Sequence, residues 1–284
     1  EQVLPFSTGV ILEPLPVQKI ISALPSVHPA HWNDAARAIM TTDTVPKAGS
    51  REGKIGENHQ VRATGIAKGA GMIHPNMATM LAFIATDAKV SQPILQMLTQ
   101  EVADMSFNSI TVDGDTSTND SFVIVATGKN EQSEIDNIAD PRYEQLKELI
   151  CNLALELAQA IIRDGEGATK FITVHVKNAS SSEDARKVAY AIAHSPLVKT
   201  AFYASDPNLG RLLCAIGYAG VESLDPDEVH MYLGDVLVVE KGGRAASYTE
   251  EERQRVMNEA VLTVTVDLQL RRVEAEVYTF DFSK

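Results

Sequence analysis

A chain of 284 residues is long enough for one large domain or two ordinary ones, with room for a sizeable core and an enclosed site. Its 38 acidic against 25 basic residues give a formal net charge of −13, which argues against a nucleic-acid partner, because phosphate backbones are bound by clustered Lys and Arg. The longest apolar runs, such as MLAFIA and VLVV, fall far short of the ~20 residues that span a bilayer, and no charged-then-apolar leader opens the chain, so no membrane association and a cytoplasmic location are expected.

Short β-branched runs alternate with amphipathic stretches, which predicts an α/β fold with sheets layered against helices. The chain opens at Glu1 without a methionine, on VLPFSTGVIL, which reads as strand interior and as a piece of something longer. Val3 to Thr8 reads as a strand, Val17 to Leu24 as a helix with Pro16 at its start, and Pro29 to Met40 as another. A polar stretch from Pro46 to His59 reads as loop or hairpin, Gln60 to Ile66 as a strand, and Thr79 to Thr86 as a buried strand. Ser91 caps a helix running to about Ser106, Ser121 to Thr127 returns as a strand, and Pro141 to Asp164 is the longest helix candidate. Beyond Gly165 come strand Phe171 to Val176, helix Ser182 to His194, strand Val198 to Tyr203 and helix Asn208 to Gly217. A strand pair at Met231 to Glu240, helix Thr249 to Glu259, and strands Val261 to Leu268 and Val273 to Asp281 complete the pattern. Cys151 and Cys214 lie in apolar, helical-looking segments without metal or disulfide spacing and read as buried small hydrophobes.

The densest chemical signal is KGAGMIHPNMATMLAFIATDA, Lys68 to Ala88. Gly69 and Gly71 allow backbone conformations closed to other residues and Pro75 stiffens the approach, so the loop can hold one peptide bond in an unusual geometry. The bond of interest joins Ala78 to Thr79. A threonine hydroxyl held against its own preceding carbonyl can attack it, form an ester, and let water release the upstream piece. The threonine left behind has a free amine with an unperturbed pKa of about 8, able to act as general base for the hydroxyl beside it. On residue type alone, an ordinary β-branched strand residue is the commoner identity for Thr79.

Six blocks bear on that choice: STGVI at 7–11, AIMTTDT at 38–44, GIAKGAGMIHPNMATMLAFIATDA at 65–88, NSITVDGDTSTNDS at 108–121, DGEGATKF at 164–171 and DPNLGRLL at 206–213. Together, and in this order, they resemble the ornithine acetyltransferase (glutamate N-acetyltransferase) family. The resemblance implies self-cleavage between Ala78 and Thr79 into an α piece, residues 1–78 here, and a β piece, 79–284, with Thr79 carrying acetyl as an ester. It implies transfer of acetyl from N-acetylornithine to glutamate in arginine biosynthesis, with acetyl-CoA a further donor in some members. Thr8 and Gly9 match the family's oxyanion hole, while Thr42, Lys68 and Glu166, together with Thr79, match its substrate-contacting positions. A lysine suits an α-carboxylate and a glutamate suits the ornithine ammonium. No metal or bound cofactor is implied, and the assembly implied is a heterotetramer of two α and two β chains. The family's precursors extend upstream of STG and past the last strand to a short tail with substrate contacts, neither of which this sequence contains. Leu209 stands where an aromatic residue is more usual.

Other readings start from the same residues. An N-terminal-nucleophile aminopeptidase or amidase would resolve the acyl-enzyme with water instead of glutamate. Asp113, Asp115 and Asp120 superficially match an aspartyl-phosphate motif or cation loop, and a phosphotransferase built on them would require magnesium, though the calcium-loop spacing fails. A catalytically dead scaffold that only pairs with a partner chain is a third reading. Met72, Met77 and Met80 read as core filler, and His74 is weak evidence for a triad.

Overall fold

The structure is a computed structural model that describes residues 4–29, 31–74 and 80–283. Ala78 and Thr79 lie outside the described residues, as do Val3 and Met77. The chain forms two compact units, one of residues 1–108 and 116–161, the other of residues 109–115 and 162–284. This division does not follow the expected break after Ala78.

In the first unit, helices α1 (Val17–Ala23) and α2 (Trp32–Ala38) precede a four-stranded sheet of β1 (Lys47–Ile55), β2 (His59–Lys68), β3 (Leu81–Thr86) and β4 (Ser121–Ala126). Strands β1 and β2 form an antiparallel hairpin, β2 pairs antiparallel with β3, and β3 runs parallel to β4. The polar stretch after Pro46 is thus the hairpin, turning at Gly56, whose φ of +68° is open to glycine at no steric penalty. The crossover from β3 to β4 contains α3 (Gln92–Met105), which buries Ile94, Leu98 and Val102, one residue per helical turn. Ser91 occupies its N-cap position but makes no capping hydrogen bond with its side chain.

The long helix α4 (Pro141–Arg163) lies on this sheet, burying Leu146, Ile150, Leu153 and Leu157. Gly65 on β2 permits the approach: a Cβ there would lie 2.9 Å from the Phe83 carbonyl oxygen and 3.1 Å from Leu157 Cδ1. Residues 4–10, expected to begin as a strand, carry no regular structure. Pro5 has no N–H to give to a ladder, and most of the segment is exposed.

The second unit is built on a six-stranded sheet in the order β10-β5-β9-β6-β7-β8. Its strands are β5 (Phe171–Ala179), β6 (His230–Leu233), β7 (Val236–Glu240), β8 (Gly243–Arg244), β9 (Val261–Asp267) and β10 (Val273–Phe280). Helices α5 (Ser182–His194), α6 (Pro196–Tyr203), α7 (Leu209–Gly217) and α8 (Glu250–Met257) accompany them. The central strands bury Ile172, Val174, Val176, Val264 and Val266 against Val188, Ile192 and Ile216 of the helices. Val198 to Tyr203, expected as a strand, is instead part of α6. Pro196 opens the helix and the Ser195 side chain accepts a hydrogen bond from Val198 N, so the start signal overrides the β-branched composition.

The two cysteines part company. Cys151 is buried, and its thiol is pushed up to about 11 by that burial, whereas Cys214 is exposed, contrary to its apolar surroundings in sequence. Among the described residues no helix is long and apolar enough to cross a membrane.

Candidate active site

A cavity of about 730 Å³ opens in the first unit. Residues 6–11 and 13–16 form one wall, so Thr8 and Gly9 both face it, and Ile20 of α1, Ala38 to Thr41 at the end of α2, Leu81 on β3, and Thr118 and Asn119 before β4 form the rest. The STG segment is oriented by Asn119, whose Nδ2 donates to Ser7 O and, at 3.2 Å, to Thr8 Oγ1. A carbonyl can only accept, which fixes the amide nitrogen on this side, and Asn119 Oδ1 accepts from Ser117 Oγ at 3.1 Å on the other. Since the Thr8 oxygen accepts from Asn119, its own hydroxyl proton is left to be donated elsewhere.

Lys68 ends β2, in register with Leu81 of β3, and is buried to 1% exposure rather than standing on the surface. Its Nζ donates to Thr41 Oγ1 at 3.1 Å. Burial lowers its pKa, opposed by the Asp43 and Asp120 carboxylates. Thr42, the expected contact in this block, is exposed in the bend beside Thr41.

Asp43 organises the backbone around Lys68. Its Oδ1 accepts from Lys47 Nζ at 2.6 Å and from Gly69 N at 2.7 Å, and its Oδ2 from Thr41 N at 3.1 Å. Burial alone would raise the Asp43 carboxyl, but the bonds from Gly69, Lys47 and Thr41 outweigh it and leave its pKa below the ordinary value. Gly69, the first residue after β2, has φ +147°, in the region that favours glycine.

On the far side of residues 75–79, Met80 is held twice: its N–H donates to Asp120 Oδ1 at 2.7 Å and its carbonyl accepts from Ser121 N at 3.1 Å. Asp120 Oδ2 is buried and accepts no hydrogen bond. Burial pushes the Asp120 carboxyl up to about 6, against the bond from Met80 N–H and the Lys68 charge. Both ends of the stretch carrying Ala78 and Thr79 are therefore anchored, Gly69 by Asp43 and Met80 by Asp120.

Thr8, Gly9, Thr41, Thr42 and Lys68 thus lie in one unit. Glu166 belongs to the other unit, exposed in the turn that follows α4. Asp43, Asn119 and Asp120 were not foreseen in these roles. The acidic block also separates: Asp113 Oδ1 caps a local turn by accepting from Asp115 N at 3.0 Å, with Gly114 at φ +83°, while Asp120 turns to Met80. Among the described residues no group of three His, Cys, Asp or Glu side chains is placed to hold a metal ion.

A model of the ArgJ family matches residues 1–284. The arginine biosynthesis bifunctional protein ArgJ of Neisseria meningitidis (serogroup A, strain Z2491) is 75% identical over 282 residues, covering 99% of this chain and 70% of that protein. The protein of the same name from Neisseria gonorrhoeae (strain FA 1090) is 74% identical over the same length. Among solved structures, the crystal structure of arginine biosynthesis bifunctional protein argJ from Bacillus halodurans aligns with a TM-score of 0.66 at 33% identity, covering 69% of this chain and 92% of that one.

Proposed function

The chain belongs to the ArgJ family, and from that premise we propose how this acyltransferase of arginine biosynthesis, which moves acetyl from N-acetylornithine to glutamate, uses the site above. Self-cleavage between Ala78 and Thr79 gives Thr79 a free amine. That amine takes the proton of the Thr79 hydroxyl, which attacks the acetyl carbonyl of N-acetylornithine. Thr8 Oγ–H and the Gly9 N–H stabilise the oxyanion, and the protonated Thr79 amine passes its proton to the ornithine nitrogen as ornithine leaves. Glutamate enters the same site, where the Thr79 amine deprotonates it for attack on the ester and the proton returns to the Thr79 hydroxyl. Thr42, Lys68 and Glu166 bind the substrate, the Lys68 cation facing an α-carboxylate and the Glu166 carboxylate an ammonium group. The relatives' printed word "bifunctional" supports a second donor, acetyl-CoA, in this chain.

The observation that carries this reading is the pair of anchors on either side of residue 79, at Gly69 and Met80, beside a cavity whose wall includes Thr8 and Gly9. Strand β2 lies before the break and β3 after it, and their antiparallel ladder, from Ala63↔Thr86 to Lys68↔Leu81, supports two pieces that stay in one sheet once cut. The proposed assembly is a heterotetramer of two α and two β chains.

Incubation with N-acetylornithine alone is expected to leave one acetyl group on the peptide that begins at Thr79, and glutamate is expected to discharge it. Turnover without an acetylated Thr79 peptide would contradict the mechanism. A second expectation concerns the oxyanion wall. Removing one preset donor typically lowers kcat by roughly 100- to 1000-fold, so Thr8→Val falls in that range, while Asn119→Ala, which releases Thr8 without deleting it, loses roughly 10-fold. An Asn119→Ala enzyme with parental kcat would show that Thr8 needs no such support.

A further inference from the structure

Lys68 is buried to 1% exposure, and among the described residues of the cavity wall Thr41 is present while Lys68 is not. The two are joined: Lys68 Nζ meets the exposed Thr41 at Oγ1, at 3.1 Å. An ammonium can only donate, so the Thr41 oxygen is the acceptor and its own hydroxyl proton is left to be donated elsewhere. Among the described residues that proton has no recipient. Both partners are tethered to one carboxylate. Asp43 Oδ2 accepts from Thr41 N at 3.1 Å, and Asp43 Oδ1 accepts from the N–H of Gly69, the residue after Lys68, at 2.7 Å. The pair is therefore set in place before a ligand arrives, which lowers the ordering cost of binding.

We propose that the Thr41 hydroxyl, polarised by the Lys68 ammonium behind it, binds the α-carboxylate shared by N-acetylornithine and glutamate. The inference rests on the acetyl-transfer reading above, which supplies those two substrates. A hydroxyl that accepts from a cation becomes a stronger donor, because successive hydrogen bonds polarise one another. Its best partner is an anion, and a carboxylate takes such a charge-assisted bond well. Donor and acceptor of the acetyl group differ in their side chains but both bring an α-carboxylate, so one hydroxyl at this point of the wall serves both halves of the exchange. The arrangement also explains how a buried lysine acts on a ligand in the cavity. Burial lowers the Lys68 pKa while the Asp43 and Asp120 carboxylates oppose that shift, and a charge felt through a neighbour's hydroxyl needs no exposure of its own.

The test compares Thr41→Val and Thr41→Ser in the full natural chain by steady-state kinetics. Valine removes the hydroxyl at almost the same volume. KM is expected to rise roughly 10- to 100-fold for both N-acetylornithine and glutamate in Thr41→Val, with a smaller change in kcat, while Thr41→Ser stays within about 3-fold of the parent. The α-methyl ester of N-acetylornithine, which lacks the anion, reads the contact directly. The parent's preference for the acid over the ester is expected to fall roughly 10-fold or more in Thr41→Val. Parental KM values with parental acid preference in Thr41→Val overturn the proposal, as does a loss in Thr41→Ser equal to that in Thr41→Val. Lys68→Met completes a cycle. If the charge acts through Thr41, adding Lys68→Met to Thr41→Val costs little more, whereas losses that multiply show that Lys68 reaches substrate by itself and overturn the proposal. The double variant strands no ammonium in the core, so it decides the outcome where Thr41→Val alone fails to fold: an intact acid preference there also overturns the proposal. A parent that moves no acetyl from N-acetylornithine to glutamate removes the acetyl-transfer reading, and the proposal with it. A parent that does so, beside a Thr41→Val enzyme with unchanged kinetics, removes the role of Thr41 alone.

Discussion

Thr79→Ala is expected to yield a single uncut polypeptide with no acetyl transfer, a loss of at least several orders of magnitude in kcat/KM, whereas Thr79→Ser retains part of both activities. One side chain supplies the nucleophile for two successive reactions, and its amine exists only after the first, so deletion of the hydroxyl removes both steps together. Serine keeps the hydroxyl but lacks the methyl group that restricts χ1, so it cleaves and transfers more slowly. The substitution leaves the anchors on either side intact, because Gly69 and Met80 are held through their own backbone N–H groups. The Thr79→Ala chain is accordingly expected to fold, with a thermal midpoint close to the parent's. Transfer by a folded Thr79→Ala enzyme would remove the threonine mechanism.

Asp43→Ala has the largest expected effect on stability. The Asp43 and Lys47 side chains are 0% and 1% exposed and meet at 2.6 Å, and the same carboxylate accepts the Thr41 and Gly69 N–H groups. Removing one partner of a buried ion pair typically costs about 3–5 kcal/mol. The neighbouring Thr41, which receives the Lys68 bond, loses its backbone tether at the same time. Chemical denaturation of the variant is expected to show a fall of that size. The pH dependence provides an internal control. The Asp43 pKa is lowered below 3.8 in the folded state, so its contribution is complete above that value and disappears as pH falls through the folded pKa. The gap between parent and variant should therefore be full at neutral pH and narrow only in strong acid. A variant as stable as the parent at pH 7 would show that the pair merely breaks even.

Elements whose apolar residues keep a clear period were legible in the sequence. Helices α3, α4 and α5 repeat their buried residues every three or four positions, and α7 and α8 announce themselves by capping residues, Asn208 and Thr249, whose side chains accept from Arg211 N and Glu252 N. Residues 198–203 misled because VKTAFY is rich in strand-type side chains, although Ser195 and Pro196 ahead of it form a helix start. Residues 4–8 misled for a related reason: their composition suits a strand, but Pro5 lies within it.

The candidate site was legible only in part. Thr8, Gly9 and Lys68 stand in blocks dense enough to be matched as motifs, while Thr79 lies outside the described residues. Asp43, Asn119 and Asp120 act on residues 26, 111 and 40 positions away, and no local period or spacing encodes such pairings. The nearest signal was the TSTND run itself, polar residues leading directly into β4, which also reads as an ordinary turn. Lys68 would be taken for a solvated charge until the β2–β3 ladder and the 38–43 segment close around it.

The most direct test of the threonine mechanism is the intact mass of the denatured protein expressed with its natural ends. Two polypeptides are expected, with the break between Ala78 and Thr79 and the second beginning at Thr79. A single uncut chain that still transfers acetyl from N-acetylornithine to glutamate would contradict the mechanism, because the free amine that serves as base would not exist.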